Sequence, residues 1–441
     1  MNPLRTLSEQ ELIEYVTAQR WYGSKGREVA RAGIVDHAEL PGLLIALLEI
    51  VFPEGTHEVY QLLAGESLDG LTEPALAREL VHLIRTGVSQ RTAGNAMVEF
   101  HHVDGFAGLG SELTVARQIS SEQSNSSVVF DDDLILKAYR RLAPGINPEL
   151  EMLRFLTDHG FRNIPPLGGW YSFVGAPLEA TLGILQDFIA DGQDGWELAL
   201  DELAEAPARF LDRLRPLGEV IGAMHTTLAS DPSDPNFCPE HPSLESLGLL
   251  TASVDEEIEQ VFLTLPDDVE ALEPIIGRGE EVRDRLRQLT HAGTTGRIIR
   301  NHGDLHLGQT LLTGNSWIIL DFEGEPARPH AERRRKRSPL RDVAGMLRSF
   351  AYATSAVGFL RSATAPDGWE VDAREEFIQG YLETVDPTII PAGREAFDKL
   401  LAVFELEKAV YELRYELNMR PDWLPIPVAG ILRMLEEQVR T

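Results

Sequence analysis

The stretch IIRNHGDLHLGQTLLTGNSWIILDFEGEP, from Ile298 to Pro326, constrains this chain more than any other. It opens on an apolar strand (Ile298, Ile299) and passes into a polar loop carrying Asp304 and Gln309. A Thr-Gly-Asn turn at Thr313–Asn315 follows, then a β-rich run Trp317–Leu320 with Asp321 at its exit. Apolar runs flanking such a turn predict a tight hairpin. The hairpin brings Asp304 and Asp321 near one another although they are distant in sequence. Two carboxylates and a carboxamide at a hairpin mouth suit phosphoryl transfer. One Asp accepts the proton of an acceptor hydroxyl, while Gln309 and Asp321 supply oxygens for Mg²⁺. Two other readings stand at this point. His302, Asp304 and His306 alternate like ligands on one strand face, which suits a metal hydrolase, and a polar hairpin can be purely structural.

HGDLHLGQ followed by DFE resembles the catalytic and metal-binding loops of aminoglycoside-phosphotransferase-like kinases. With RWYGSKGRE (Arg20–Glu28) near the start and DGWELAL (Asp194–Leu200) in the middle, the chain is similar to the actinobacterial maltokinases and their glucosamine-kinase relatives. The resemblance runs over nearly the whole chain. It implies an α+β, bilobal, eukaryotic-protein-kinase-like fold of the aminoglycoside-phosphotransferase type, preceded by an N-terminal α/β cap. It also implies ATP and Mg²⁺ as cofactors and a small-molecule sugar as acceptor. The expected division is a cap over 1–95, a β-rich N-lobe over 96–189 and a helical C-lobe over 190–441.

Composition narrows the partners. The net charge of −30 repels nucleic acid and anionic membranes. A nucleotide site in such a chain must gather its positive charge, and Mg²⁺, inside one cleft. The single cysteine, Cys238, rules out an intrachain disulfide and fits a reducing compartment. The N-terminus, MNPLRTLSEQELIEYV, carries no apolar signal core. Leu43–Phe52 is too short to span a bilayer, holds Glu49 and reads as a buried strand. A cytoplasmic protein is expected.

Taken in order, Ser8–Gln19 reads as a helix capped by Ser8 with Glu11 reciprocating. Strands are expected at Gly33–Leu40, Leu43–Phe52 and His57–Leu63, a helix at Pro74–Thr86 and a strand at Ala96–Val103. Residues 115–142 read as strand, loop, strand. The loop Ser121–Ser127 lacks glycine, but Ser124, Asn125 and Ser126 can cover phosphates with N–H and hydroxyl donors; a plain hairpin turn is the alternative. Lys137 lies on an alternating strand with Ile135 and Tyr139 and needs a partner. The next helix, capped by Asn147 and Pro148, offers Glu149 and Glu151. The family pattern favours Glu151, which would orient Lys137 toward the nucleotide phosphates. Gln186, Phe188 and Ile189 occupy the inter-lobe segment that presents backbone groups to adenine in kinases of this shape. Helices are expected at Phe210–Leu228 and over Val254–His291.

After DFEGEP, the basic run Glu332–Arg337 reads as a solvated loop. Ser338-Pro339 starts a helix whose Asp342 is placed to buttress the catalytic loop. Three helical patterns close the chain, at Ala373–Thr384, Arg394–Asn418 and Pro427–Arg440. On the middle one Glu405, Glu412 and Glu416 share a stripe beside Tyr411 and Tyr415. That stripe is either a solvated acidic face or, with His306 and Trp423, a polar-aromatic wall for a sugar. RSFAYA (Arg348–Ala353) stands where the maltokinase pattern leads us to expect RSFDYA, so a maltose site is in doubt. The expected reaction is transfer of the ATP γ-phosphoryl group to glucosamine, giving glucosamine 6-phosphate, with Asp304 as base. Maltose 1-phosphorylation is the runner-up. A catalytically inactive kinase fold used as a binding module is the reading from another class.

Overall fold

The computed structural model describes residues 3–110, 113–119, 125–290, 296–325 and 328–436. They form two compact units, Met1–Asp191 and Gly192–Thr441. Ser124 and the end of the Pro427–Arg440 helix lie outside the described residues.

Among its described residues the first unit has the strands β1 (Arg31–Leu40), β2 (Leu43–Val51), β3 (His57–Ala64), β4 (Ser89–Arg91), β5 (Met97–His102), β6 (Ala116–Ile119), β7 (Asn125–Phe130), β8 (Leu134–Tyr139), β9 (Arg141–Leu142), β10 (Leu167–Val174) and β11 (Ala180–Asp187). Its helices are α1 (Glu9–Thr17), α2 (Pro74–Thr86) and α3 (Pro148–Asp158). The expected capping box is present on α1, with Ser8 and Glu11 bonding each other's backbone N–H. β2 reads LLIALLEIV because it is an inner strand, with apolar side chains buried on both faces.

The strands make two antiparallel sheets, ordered β1-β2-β3-β9 and β4-β5-β10-β11-β8-β7-β6. A cut at residue 95 therefore falls between two paired strands, since β4 bonds β5 and β5 bonds β10. β9 in turn crosses back to pair with β3. Gln61, wholly buried on β3, fastens the two sheets. Its backbone N–H donates to Arg140 O at 2.7 Å, and its amide donates to Tyr139 O and Leu182 O at 2.9 and 2.8 Å. From the Arg20–Glu28 loop, Trp21 and Tyr22 pack on Tyr60, and the Arg140 guanidinium lies over the Trp21 ring.

The second unit carries a small sheet of β12 (Gln193–Asp194), β13 (Thr310–Thr313) and β14 (Ser316–Ile319). Its helices are α4 (Gly195–Glu205), α5 (Pro207–Leu228), α6 (Leu244–Leu263), α7 (Gly279–Thr290), α8 (His330–Arg333), α9 (Leu340–Arg361), α10 (Trp369–Thr384), α11 (Arg394–Met419) and α12 (Pro425–Glu436). The helical pattern expected over 254–291 falls in two helices, α6 and α7, separated where Pro266, Pro274 and Gly277 interrupt it. α5 and α10 pack backbone to backbone. A Cβ at Gly218 would lie 2.1 Å from Phe377 O, and one at Gly380 would lie 2.0 Å from Arg215 O. α9 is long and apolar enough to cross a membrane, but 67% of its apolar window is buried among its neighbours. It begins one residue later than expected: Pro339 is its N-cap, and Ser338 Oγ accepts the Leu340 N–H at 3.3 Å.

Candidate active site

The hairpin turn forms where expected, with Thr313 opposite Ser316 and Gly314 at φ +58°. Ile298 and Ile299 are not one of its strands. They make single bridges to Glu240 and Arg337, and β13 starts only at Thr310. The mouth is closed by the Leu320 N–H donating to Gln309 O at 2.9 Å. That bond brings the Gln309 amide to 3.1 Å from Asp321 Oδ2, with Asp321 held at φ +57°. The carboxamide oxygen and the carboxylate are hard donors. They fit Mg²⁺, which takes few protein oxygens and completes its shell with water and phosphate.

Asp304 sits on a loop braced from behind. Asp342, wholly buried on the first turn of α9, accepts the N–H groups of His302 and Gly303 at 2.7 and 2.9 Å. His225 Nε2 lies 3.0 Å from the same carboxylate, and His225 Nδ1 lies 3.1 Å from the Tyr381 hydroxyl. Burial alone would push the Asp342 carboxyl up, but the bonds from His225 and the Gly303 backbone, with the nearby imidazoles, hold it below its ordinary value. Gly303, at φ +86°, allows the loop to turn past Asp342. His302 has both ring nitrogens engaged: Nε2 with Leu320 O at 2.7 Å, and Nδ1 as acceptor of the Asp304 N–H at 3.3 Å. It is thereby removed from any ligand set, and the metal-hydrolase reading of His302, Asp304 and His306 goes with it.

Asp304 opens into a cavity of about 540 Å³ within the second unit. Of the residues expected to meet a sugar, His306, Tyr411, Glu412, Glu416 and Trp423 line it with Asp304. Glu405 does not: it is buried against Arg374 at 2.7 Å. The i, i+7 spacing kept it on the same stripe as Glu412, but two turns lower on α11. Burial holds the His306 imidazole below its ordinary value, so it faces the cavity neutral. Glu412 accepts two bonds from Arg348 through Oε2, at 2.9 and 2.7 Å. Glu416 accepts from the Tyr352 hydroxyl and from Arg420, at 3.0 and 2.6 Å. Tyr352 and Trp423 stack with centroids 6.1 Å apart. Ala351 is buried in α9 and is not on the cavity wall, so the RSFAYA departure changes the core beside Tyr352 rather than a wall contact.

Sequence reading missed Trp196, Glu325, Tyr352, Lys408 and Arg420 on this wall. Lys408 was within reach, since it precedes Glu412 by one helical turn on α11. Its ammonium stands 3.5 Å from Asp304 Oδ1 and over the Tyr411 ring. Burial works against that charge, but Asp304, Glu412 and Glu325 hold the amine above its ordinary value. Behind Asp304 a smaller chamber of about 50 Å³ is lined by Glu257, Glu325, Arg328, Arg341 and Lys408 among others.

In the first unit, Lys137 is held as expected but by the other candidate. Its ammonium is 2.8 Å from Glu149 Oε1. Lys137 and Tyr139 share a face of β8, and the one carboxylate also accepts the Tyr139 hydroxyl, at 2.9 Å. Glu151 lies two residues on, about 200° round the helix, and its backbone continues α3. Asn125 and Ser126 belong to β7 rather than to a covering loop, and Ser126 is buried with its hydroxyl accepting from Arg140 at 2.8 Å. Ser126 is therefore withdrawn from phosphate. Gln186 is on β11, and the Phe188 N–H is spent on Asp133 O at 2.7 Å. Ile189 follows β11, outside any strand or helix.

Residues 115–371 match the phosphotransferase enzyme family, and residues 15–97 match the maltokinase N-terminal cap domain. A glucosamine kinase of Mycolicibacterium smegmatis is 29% identical over 339 residues, 74% of this chain and 81% of that protein. A glucosamine kinase of Streptacidiphilus jiangxiensis is 25% identical over 352 residues, 77% of each chain. In fold, the chain is similar to a solved glucosamine kinase in complex with glucosamine, ADP and inorganic phosphate. The TM-score is 0.73 at 19% identity, covering 96% of this chain and 98% of that one.

Proposed function

The chain belongs to the phosphotransferase enzyme family, and from that premise we propose that it is an ATP-dependent kinase that phosphorylates glucosamine at its primary hydroxyl. Asp304 accepts the hydroxyl proton and orients the oxygen. The O6–Pγ bond forms as the bond from Pγ to the β,γ-bridging oxygen breaks, leaving ADP and glucosamine 6-phosphate. Gln309 and Asp321 would hold Mg²⁺, which would neutralise charge on the phosphates when bound. Lys137, fixed by Glu149, is the cation for the nucleotide phosphates.

The observation that carries the acceptor is Glu412. It lines the cavity that holds Asp304, and its bonds to Arg348 use Oε2, which leaves Oε1 as an acceptor among the described residues. A charge-assisted bond between this buried carboxylate and a substrate ammonium is worth roughly 1.5–3 kcal/mol. That is about tenfold to a hundredfold over a sugar without the amine. The aromatic rings of Trp423 and Tyr352 offer faces for the pyranose. The test is turnover with glucosamine, glucose, maltose and an aminoglycoside, with NMR of the product. Glucosamine is expected to have the highest kcat/KM, by about tenfold over glucose. Glu412→Gln is expected to erode that glucosamine-to-glucose ratio, a quantity in which a general loss of activity cancels. Maltose as the better substrate, or an unchanged ratio in the variant, sinks the assignment.

Lys408 enters the same reaction. Its ammonium fixes one oxygen of Asp304 and adds positive charge where the phosphoryl group arrives. Lys408→Met is expected to lower kcat by about tenfold to a hundredfold, with a smaller change in the sugar KM. Steady-state kinetics beside a melting curve checks this, and a wild-type kcat excludes the role.

A further inference from the structure

Gly430 stands buried in the middle of α12, although glycine is the poorest helix former after proline. What faces it explains its place. A Cβ at Gly430 would lie 2.2 Å from Arg348 Nη1, 3.0 Å from Cζ and 3.2 Å from Nη2. The α12 backbone is therefore seated against the α9 guanidinium that holds Glu412 of α11, the carboxylate on the cavity wall. Neither Arg348 nor Gly430 is among the residues that line that cavity.

This seat shapes how Arg348 meets Glu412. A guanidinium and a carboxylate ordinarily pair fork to fork, two N–H groups on two oxygens. Here Nε and Nη2 both donate to Oε2, at 2.9 and 2.7 Å. Nη1 has no hydrogen bond among the described residues, and the whole side chain is buried, with Cζ 5.9 Å from the centroid of the Tyr352 ring. Two things follow for Glu412. A buried carboxylate stays ionised only beside a cation, and arginine does not give up its charge. The other oxygen, Oε1, is left to a ligand. Glu416, the other carboxylate that α11 brings to the wall, has both oxygens taken by Arg420 and Tyr352. A methyl group at position 430 is accommodated by moving the end of the arginine chain, and the atoms that move are those bonded to Oε2.

We propose that Arg348 is a positioning residue that keeps Glu412 charged with Oε1 toward the acceptor amine, and that Gly430 sets amine preference from outside the cavity by seating that guanidinium. The assignment rests on Glu412 being the group that meets the amine.

The experiment is a double-mutant cycle of Gly430→Ala and Arg348→Lys, read as the glucosamine-to-glucose ratio of kcat/KM beside a melting curve. Lysine keeps the charge and has no second terminal nitrogen to meet the methyl. With Arg348 in place, Gly430→Ala is expected to lower the ratio about tenfold, mostly through the glucosamine KM. In the Arg348→Lys background the same substitution is expected to change it by less than about twofold. Arg348→Lys alone keeps the ratio within about threefold, whereas Arg348→Met, which leaves Glu412 buried without its cation, loses it. An undiminished ratio in Gly430→Ala, or an equal drop in both backgrounds, overturns the role of Gly430. Unfolding of Gly430→Ala that Arg348→Lys relieves supports that role, and unfolding in both backgrounds overturns it. An undiminished ratio in Arg348→Met overturns the role of Arg348. A wild type without amine preference refutes the proposed function instead. The melting curves then still decide the seat, since Gly430→Ala is expected to lower Tm with Arg348 and not with Arg348→Lys.

Discussion

Asp304→Asn is expected to lower kcat for glucosamine by about 10²–10⁴-fold while the protein melts where the wild type does. The two halves of that expectation come from the same geometry. Asp304 faces a cavity, and its side chain meets the Lys408 ammonium at 3.5 Å. The N–H that positions the loop donates to His302 and is untouched by the substitution. Asparagine keeps the shape and cannot take the hydroxyl proton. Glucosamine turnover and a thermal melt measure both halves, with Asp321→Ala beside it as the variant that removes a proposed Mg²⁺ donor. Wild-type rates in Asp304→Asn remove it from the mechanism.

Asp342→Asn is expected to act the other way, costing stability first and activity as a consequence. Its carboxylate accepts two backbone N–H groups and faces His225, all in a fully buried place. Breaking a buried charged network by removing one partner costs about 3–5 kcal/mol, which in a unit of this size lowers Tm by roughly 10 °C. The sign of the pH dependence follows from the lowered carboxyl. A depressed folded-state value contributes stability above the unfolded value, about 3.9, and loses it as pH falls through the folded one. The gap in Tm between wild type and variant is therefore expected to be full at pH 7 and to close below about pH 4. A gap that does not change with pH would show that the carboxylate charge is not what holds the loop.

The hairpin that joins Gln309 to Asp321 was legible in the sequence because it is contiguous. Turn, strand and carboxylates sit within one short segment, so local geometry alone brings Gln309 to Asp321. The buttress was legible for a related reason: Asp342 sits on a helix start that Ser338 and Pro339 announce. What lay further apart was not legible. The choice between Glu149 and Glu151 as the partner of Lys137 turns on about 200° of helix rotation, which no local spacing settles. Ser126 looked like a loop donor because its hydroxyl cannot reveal that Arg140 is waiting inside the sheet. The acidic stripe on α11 gave the correct face but not the pairing. Which carboxylate is neutralised depends on Arg374, Arg348 and Arg420, and the first two are on other helices. Tyr352, Glu325 and Trp196 complete the wall from three further segments, and no spacing in the chain connects them.

The exchange of strands in the first unit bears on how such a protein can be inherited. β9 closes the sheet that begins with β1, and β4 and β5 close the sheet that carries Lys137. A gene fragment ending after β4 would encode one sheet without its fourth strand, and its complement would lose the edge of the other. A cut between β4 and β5 therefore separates paired strands in both sheets, and a cut that spares every ladder must fall elsewhere. The Asp191–Gly192 junction is such a place, because both larger sheets end before it and the small sheet begins after it. The cavity that holds Asp304 lies within the second unit, so it can be exchanged through that junction with every ladder of the first unit intact.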